Sequence, residues 1–277
     1  MKKNERAAAV VRTVVVSLIA VLFVVPLVWM VLSSLKTAPE VFARPFHWLP
    51  AKAQWQNYAT VWMNEEASML RAFANTLYIA LFSIVGQMFI SSLAAYSFAK
   101  INFKGKQVVF MLFLSSMMVP SQLTIIPRFM LFKTIGLYNN LWAIILPAFF
   151  GATSIFMLRQ FYMGLPNDLI EAAKIDGAGH LRIFLRIMLP LTKAALISLI
   201  ILAFISSWNE YMAPLIFLVK KELYTVSQNI QWYMLDEFKE HNLTMAAATS
   251  AIVPVVILFI VGQKYFVEGI ATSGVKG

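Results

Sequence analysis

The stretch from residue 166 to residue 190 combines acidic, small and turn-forming residues in an order that suits contact with another protein. It reads as a helix, a turn and a second helix, with acids near the positive end of the first helix, where negative charge is stabilising. Glu171 is followed by Ala172 and Ala173, whose methyl side chains would let this helix sink into a groove on a partner. The stretch therefore predicts a docking helix, although an ordinary amphipathic surface helix has the same composition.

Two glycines mark the predicted turn between these helices. Gly177 and Gly179 can both adopt the left-handed conformation that ends a helix. The second helix then runs to Pro190. Residues four apart on it share a face, which pairs Ile183 with Ile187 and Arg182 with Arg186. The second helix is therefore predicted to have an apolar face and a basic face.

The residue types needed for covalent or metal chemistry are missing or scattered. The chain has no cysteine, which rules out a disulfide, a thiolate nucleophile and a thiolate metal site. Its three histidines, His47, His180 and His241, are far apart in the sequence, so no metal site is expected. No phosphate-binding G-x-x-x-x-G-K-[ST] loop, G-x-S-x-G or H-E-x-x-H motif occurs. We therefore expect no catalytic residue and no cofactor bound by this chain.

Five polar residues fall in or near the apolar segments and could line a path across a membrane. They are Asn75, Gln87, Gln122, Asn209 and Glu210. Each could instead form a hydrogen bond between helices, which is a common use of such residues in membranes. A buried carboxylate is costly unless it is paired or wet, so Glu210, with Asn209, is expected to shape an outer gate or a substrate path. Gln122 is the third candidate for that path.

The composition requires a lipid environment around these elements. The 277 residues are 60% hydrophobic and 13% charged, whereas soluble domains are about 45–50% apolar and about 25% charged. This excludes a soluble globule, a disordered chain and a collagen-like fibre. The net charge of +10 fits the Lys/Arg bias of cytoplasmic loops better than it fits binding of nucleic acid.

Six segments are apolar enough to cross a bilayer, which needs about 20 residues. They are Thr13–Leu35, Phe73–Phe98, Val108–Leu131, Leu141–Leu158, Thr192–Val219 and Thr244–Val261. Prolines interrupt the third and the fourth, which favours contact with protein, because neighbours must satisfy the freed carbonyl groups. With a cytoplasmic N-terminus, the inside loops hold the larger share of Lys and Arg, so both termini are expected in the cytoplasm. The predicted fold is an all-α integral membrane protein with six transmembrane helices.

Two connecting segments are longer than simple turns. The outside segment Lys36–Ala72 is rich in proline and tryptophan and is expected to lie along the outer surface, with a short amphipathic helix near Gln54–Met63. The inside loop, about 159–190, is too long for a connector. The predicted division is an N-terminal helix with its outer segment (1–70), a transmembrane domain (71–262) and a cytoplasmic tail (263–277).

The spacing within the inside loop resembles the EAA motif of binding-protein-dependent ABC importer permeases. The motif is Glu-Ala-Ala, three residues, Gly, nine residues, Ile, one residue and Leu-Pro, and it is matched by Glu171, Ala172, Ala173, Gly177, Ile187, Leu189 and Pro190. Other stretches resemble the carbohydrate branch of that family, and specifically the smaller permease subunit of maltose-type systems. They are Pro120-Ser121-Gln122 with Ile126-Pro127, Gly136-Leu137-Tyr138-Asn139, Trp208-Asn209-Glu210 with Pro214-Leu215, and the ending from Gln263 to Gly277.

The resemblance covers essentially the whole chain and implies the type I ABC importer permease architecture for residues 71–262. It implies that the loop forms a coupling helix that docks on a cytoplasmic ATPase dimer, which would bind ATP and Mg. The coupling residues under this interpretation are Glu171, Ala172, Ala173, Asp176, Gly177, Ala178, Ile187 and Pro190. The resemblance also implies a second homologous permease subunit, an extracytoplasmic sugar-binding protein and a bacterial or archaeal cytoplasmic membrane.

The sequence leaves other functions as alternatives. The same kind of importer could carry a sugar phosphate or a polyol. An ion-coupled secondary transporter would need ionisable residues at mid-membrane depth. The few candidates are Arg128 and Glu210, and both are predicted near the ends of spans. A membrane scaffold without transport would explain neither the proline-broken spans nor the spacing of the loop motif.

Overall fold

The computed structural model describes residues 2–235 and 240–274, and the regular structure of this part is helical, with no strand. Its α-helices are α1 (Lys2–Ser34), α2 (Ala38–Val41), α3 (Gln56–Met63), α4 (Met69–Lys100), α5 (Lys106–Ser115), α6 (Ser121–Thr134), α7 (Trp142–Ala148), α8 (Ala152–Gly164), α9 (Asp168–Ile175), α10 (His180–Ile183), α11 (Leu189–Leu191), α12 (Lys193–Trp208), α13 (Met212–Phe217), α14 (Val226–Leu235) and α15 (His241–Gly274). Short 3-10 turns precede α6 and α14, and a π-helix, Phe184–Met188, joins α10 to α11.

Six regions of the described chain are long and apolar enough to cross a membrane, if each bent helix pair is taken as one span. Four are Ala8–Ser34, Met69–Lys100, Trp142–Gly164 and His241–Gln263. Two are bent pairs, Lys106–Met118 with Ser121–Thr134 at 96° and His180–Leu191 with Lys193–Trp208 at 77°. These regions overlap the six predicted spans, which confirms the predicted fold class.

The third predicted span is not one straight helix. The chain leaves α5 through the 3-10 turn Ser116–Met118, and α6 begins at Ser121. Between them, Val119 is extended, with φ −85° and ψ 112°, because the residue before a proline avoids the α region. Pro120 therefore causes the bend, whereas Pro127 lies inside α6 without ending it.

The fourth and fifth predicted spans are also interrupted. Residues 149–151 separate α7 from α8, shortly after Pro147. The fifth prediction, Thr192–Val219, is wrong in its second half, because α12 ends at Trp208 and the chain continues as the separate helix α13. Hydropathy does not reveal this break, since the residues on both sides of it are largely apolar.

The chain divides into two compact units, residues 1–70 with 229–253 and residues 71–228 with 254–277. In the first unit, buried Asn57 fixes the outer segment. Its Nδ2 donates to the carbonyls of Ser34 (2.8 Å) and Lys36 (2.9 Å), and its Oδ1 accepts from Nδ2 of Asn242 (3.1 Å). Asn57 lies on α3, which confirms the short helix predicted near Gln54–Met63. The outer segment is thus a folded part of this unit.

The second unit has two apolar cores. The first core packs α9 against α4, α8, α10 and α12 and includes the fully buried side chains of Tyr162 and Ile183. The second core joins α4, α6, α7 and α13 and includes Ile145 and Phe217. The first core therefore holds the helices of the inside loop against the apolar helices, and the second core holds the region where α6 meets α13.

Two glycines allow α4 to approach the break between α7 and α8. A Cβ on Gly86 would overlap the ring of Phe149, and a Cβ on Gly151 would overlap the side-chain amide of Gln87. With the backbones this close, Gln87 Nε2 donates to Ser154 Oγ at 3.0 Å. The middle of α4 is therefore fixed beside α7 and α8.

The predicted cytoplasmic tail at 263–277 falls at the end of α15. That helix continues to Gly274, so most of the tail continues the preceding helix. Residues 275–277 lie outside the described residues.

Candidate functional site

Helix α9 ends as the sequence predicts. Gly177 has φ +75°, and the amide of Ala178 donates to the carbonyl of Ala173 at 2.9 Å. This 6→1 bond is that of a Schellman motif, which needs a residue with positive φ, a conformation that glycine adopts without strain. Gly177 therefore sets the direction in which the chain leaves α9.

The second glycine of the turn does not share that conformation. Gly179 has φ −72° and ψ 163°, which is extended backbone. It immediately precedes α10, and an extended conformation is typical of the residue before a helix. Of the two glycines that could adopt the left-handed conformation, only Gly177 does so.

The two alanines of the predicted docking helix differ in exposure. Ala172 is exposed beside Glu171, but Ala173 is only 8% exposed and packs into the first core with Ile170. Neighbouring positions on an α-helix lie about 100° apart around its axis, so one methyl group can be buried in the core while the next stays exposed. The prediction that both enter a groove is wrong for Ala173, which instead holds α9 against its own chain.

Two large apolar side chains of α9 are exposed although the sequence analysis missed them. Ile175 is 86% exposed and Leu169 is 40% exposed. The spacing did not reveal them, because the face that a helix buries depends on what packs against it. With Glu171 and Ala172, these side chains form the exposed α9 surface (Leu169, Glu171, Ala172 and Ile175).

The remaining coupling candidates also divide into exposed and half-buried residues. Asp176, Gly177 and Pro190 are exposed, whereas Ala178 and Ile187 are half-buried and pack against the first core. The exposed members can meet a partner, and the half-buried members can only position them.

The second helix of the loop changes from an α-helix to a π-helix along its length. It was predicted to run unbroken to Pro190, but Phe184–Met188 is a π-helix, in which the amide of Leu189 bonds the carbonyl of Phe184. Pro190 lacks an N–H, and in an α-helix its ring would clash with the carbonyl four residues earlier. The wider turn of a π-helix just before it accommodates the proline. The predicted faces are confirmed, with Ile183 buried and Arg182 and Arg186 exposed.

Polar contacts tie the inside loop to the end of α4. Lys100 Nζ donates to the carbonyl of Leu165 at 2.7 Å and to Oδ1 of Asn167 at 2.6 Å, directly before α9. Tyr96 Oη and His180 Nδ1 are hydrogen-bonded at 3.0 Å, which fixes the start of α10. Sequence reasoning missed these residues, because nothing in the spacing indicates that α4 ends beside α9.

A polar cavity of about 400 Å³ lies in the second unit between α4, α6, α7, α12 and α13. Its polar side chains are Ser83, Gln87, Ser121, Gln122, Arg128, Ser206, Ser207 and Glu210. Ser83 is about 20 Å along α4 from the start of that helix, at 1.5 Å per residue, which is near the middle of its 32 residues. The cavity therefore lies at about the mid-depth of a transmembrane helix.

The cavity holds one charge of each sign. Arg128 Cζ lies 5.1 Å from the centre of the Phe217 ring, and Arg128 Nε is buried without a hydrogen-bond partner in the described chain. Glu210 Oε1 accepts a hydrogen bond from the amide of Ala213 at 3.0 Å, which uses one of its two carboxylate oxygens. Both charges line the same cavity and are opposite in sign, so they offset each other there.

The structure places two of the three path candidates in this cavity. Gln122 and Glu210 line it, but Asn209 does not, and the exposed Asn209 side chain donates instead to the carbonyl of Ile205 at 2.8 Å. Asn75 also lies elsewhere and bonds two backbone carbonyls of the 222–224 segment. Conversely, Ser83 was not predicted, because a serine in an apolar helix gives no distinguishing pattern.

No metal centre accompanies these sites in the described ranges 2–235 and 240–274, where no group of three histidine, aspartate or glutamate side chains could hold an ion. The expectation that this chain binds no cofactor stays a prediction.

Comparison with known proteins gives matches along nearly the whole chain. Residues 87–272 match the family model described as binding-protein-dependent transport system inner membrane component. The chain is 34% identical to the arabinooligosaccharides transport system permease protein AraQ of Bacillus subtilis, over 94% of this chain and 93% of AraQ. It is 28% identical to the diacetylchitobiose uptake system permease protein NgcG of Streptomyces coelicolor (94% and 87%). It is 30% identical to the sn-glycerol-3-phosphate transport system permease protein UgpE of Pectobacterium atrosepticum (94% and 94%).

Solved structures share the fold. One is a chain from the crystal structure of a bacterial ABC transporter involved in the import of the acidic polysaccharide alginate, with a TM-score of 0.84 at 23% identity over 95% of this chain and 98% of that chain. Another comes from a bacterial alginate ABC transporter in complex with an alginate pentasaccharide-bound periplasmic protein, with a TM-score of 0.67 at 14% identity over 95% and 94%. At these identities the likeness concerns the fold alone.

Proposed function

The chain belongs to the family of binding-protein-dependent transport system inner membrane components and has the type I ABC importer permease fold, and on this premise we propose that its cargo is a sugar or a short oligosaccharide. Two relatives are named for the transport of arabinooligosaccharides and diacetylchitobiose. The cavity supports the same cargo, because its hydroxyl, amide and charged groups suit a polyhydroxylated molecule. Membership in this family argues against an ion-coupled secondary transporter.

ATP hydrolysis, on this proposal, belongs to a separate cytoplasmic ATPase dimer that binds ATP and Mg. This chain has no phosphate-binding loop of its own. The observation that carries the proposal is the exposed α9 surface, in which Glu171 and Ala172 stand beside the exposed side chain of Ile175. Large apolar side chains exposed beside a charge on a helix suit docking into a groove of another protein.

The inside loop transmits the movement of the ATPase to the apolar helices. The buried face of α9 packs in the first core with α4, α8 and α12, and Lys100 joins the end of α4 to the residues before α9. When the ATPase closes on ATP, displacement of α9 therefore displaces these helices together. Because α4 and α12 also line the cavity, the displacement changes which side of the membrane the cavity faces.

Two further partners complete the proposed importer. A second homologous permease subunit would face this chain across the substrate path, and an extracytoplasmic binding protein would deliver the sugar. A periplasmic protein with bound pentasaccharide is part of one of the structures that share this fold. Lipid would cover α1, whose residues 11–28 are all exposed in the described chain.

The test is transport by the assembled importer. The chain is co-purified with the ATPase, the second permease and the binding protein encoded beside it and is reconstituted into liposomes. Arabinotriose, N,N′-diacetylchitobiose and maltotriose serve as neutral probes, with glycerol 3-phosphate as an anionic probe. We expect ATP-dependent uptake of at least one saccharide. Absence of ATP-dependent uptake of every probe, or uptake driven by an ion gradient without ATP, would contradict the proposal.

A further inference from the structure

Two cations lie side by side where α4, α5 and α8 meet. The guanidinium carbon of Arg159, on α8, is 4.1 Å from the centre of the Phe110 ring of α5, and Arg159 Nε donates to the carbonyl of Phe98 at 3.3 Å. Lys106 is the first residue of α5, and its Nζ lies 3.5 Å from the carbonyl of Ala99. Both carbonyls belong to the last turn of α4. Because neighbouring residues are about 3.8 Å apart along the chain, the two cations lie close together.

Both cations keep donors that an anion can reach. The two terminal nitrogens of Arg159 form no hydrogen bond within the described chain and are not buried. Lys106 has three donors, of which one has a partner. Both side chains are partly exposed, and neither forms an ion pair with a described acidic side chain. An anion between them would therefore gain hydrogen bonds and relieve the repulsion of two like charges.

The pair lies at the depth of phospholipid headgroups. Lys106 begins α5, and Arg159 is five residues from the end of α8, which is about 8 Å at 1.5 Å per residue. The headgroup layer on each side of the hydrocarbon core is about 5–8 Å thick. Helix α8 leads directly into the inside loop, so the headgroups at this level are those of the cytoplasmic leaflet.

An exposed apolar side chain lies one turn deeper in the membrane from each cation. Val109 follows Lys106 by three residues on α5, and Phe156 precedes Arg159 by three residues on α8. Residues three apart share a helix face, and Val109 and Phe156 are 48% and 37% exposed. A cation with an apolar surface below it matches a phospholipid, in which acyl chains extend from the phosphate toward the membrane centre.

We propose that Lys106 and Arg159 bind the phosphate of an anionic phospholipid of the cytoplasmic leaflet, with its acyl chains along Val109 and Phe156. The planar guanidinium can bond two phosphate oxygens at once, and Lys106 supplies the second positive charge. A zwitterionic lipid carries an ammonium of its own beside the phosphate and gains less from two cations. The site goes beyond the proposed function, because it concerns the membrane around the importer and involves neither sugar nor ATP.

The test measures the lipid bound to the assembled importer. The purified complex is stripped of lipid in detergent, and native mass spectrometry measures the affinity for the first bound molecule of phosphatidylglycerol or phosphatidylcholine. The wild type should bind phosphatidylglycerol more than about tenfold more tightly. Lys106→Gln should weaken phosphatidylglycerol binding by about fivefold, as expected for one lysine near an anionic headgroup, and should leave phosphatidylcholine binding unchanged. Arg159→Lys keeps the charge but removes the two-pronged donor, so it should also weaken phosphatidylglycerol binding.

The matched control is Lys193→Gln, because Lys193 is the exposed first residue of α12 and lies outside the pair. This variant should bind phosphatidylglycerol like the wild type. Equal losses in the Lys106→Gln and Lys193→Gln variants, or equal affinities of the wild type for the two lipids, would overturn the site. Release of phosphatidylglycerol by inorganic phosphate would assign the pair to a free anion instead. Binding by the isolated chain but not by the assembled importer would show that another subunit covers the pair, which would overturn the proposal as well.

Discussion

Glu171 is the exposed charge of the α9 surface, and it lies outside the apolar helices that insert the chain into the membrane. If it meets a basic group in a partly desolvated cleft of the ATPase, its loss should cost about 2–5 kcal/mol of interface free energy. We therefore expect Glu171→Ala to keep a normal membrane level, to lose more than tenfold in ATPase affinity and to abolish sugar uptake. Membrane level, ATPase co-purification and uptake measure these effects.

The control for this variant lies in the same helical turn. Asp168 is also exposed in the first turn of α9, so Asp168→Ala removes equal charge at the other acidic position of that turn. Equal losses in both variants would indicate a general effect of charge rather than a specific contact of Glu171. Unchanged uptake in the Glu171→Ala variant would remove the coupling role assigned to it.

Gly177 and Gly179 form a matched pair for testing the turn after α9. A Cβ at either position would meet nothing within 4 Å, but only Gly177 has a positive φ, +75°. Gly177→Ala should therefore lower the free energy of unfolding by about 1–2 kcal/mol through backbone strain and displace α9. Gly177→Val should lower it further. Gly179→Ala should be neutral. Thermal unfolding of the purified importer and sugar uptake report the two effects, and equal results for the two alanine variants would refute this account of the turn.

At the scale of elements, Lys100 connects α4 with the residues before α9 through two short hydrogen bonds. Lys100→Met removes both donors while keeping an apolar stem of similar length. We expect the variant to retain the ATPase but to transport fewer sugar molecules per ATP hydrolysed, because α9 can then move without α4. Lys100→Arg should preserve coupling, and Lys104→Met, at an exposed lysine, is the control. An unchanged ratio of uptake to hydrolysis would show that the apolar core alone transmits the movement.

The close approach of α4 to the broken α7–α8 pair gives a second prediction at this scale. A methyl group on Gly151 would overlap the amide of Gln87, so Gly151→Ala must displace that side chain and its bond to Ser154. Overpacking of this kind destabilises by about 1–3 kcal/mol. Gly164→Ala, where a Cβ meets nothing within 4 Å, is the control. The midpoint of thermal unfolding should fall for Gly151→Ala alone, and a fall of equal size in the control would contradict the packing argument.

At the scale of the whole molecule, the proposed function assigns the substrate path and the energy source to different chains. It contributes a polar cavity at mid-depth and an exposed helix on the inside loop, but no phosphate-binding loop. Reconstituted alone into liposomes, the chain should neither hydrolyse ATP nor take up any saccharide. Addition of the ATPase, the second permease and the binding protein should restore both activities. ATP-dependent uptake by the isolated chain would refute this division of roles.

The sequence by itself determined the features that depend on local composition and spacing. The apolar segments required a membrane, the order of residues from Glu171 to Pro190 predicted a coupling loop, and Gly177 was expected at a left-handed turn. Each follows from a property of one segment, namely its hydropathy, its spacing or the absence of a Cβ. The kink at Pro120 was indicated by the residue type, but its angle of 96° was not.

Only the tertiary structure decided which residues meet. It turned Ala173 into the core and left Ala172 exposed, because the face that a helix buries depends on what packs against it. It joined Lys100 to the start of α9 across 67 residues of sequence. It also brought Ser83 of α4, Gln122 of α6 and Glu210, between α12 and α13, into one cavity while leaving Asn209 out. Neither composition nor spacing specifies such contacts, since each depends on the register and rotation of helices that are distant in the chain.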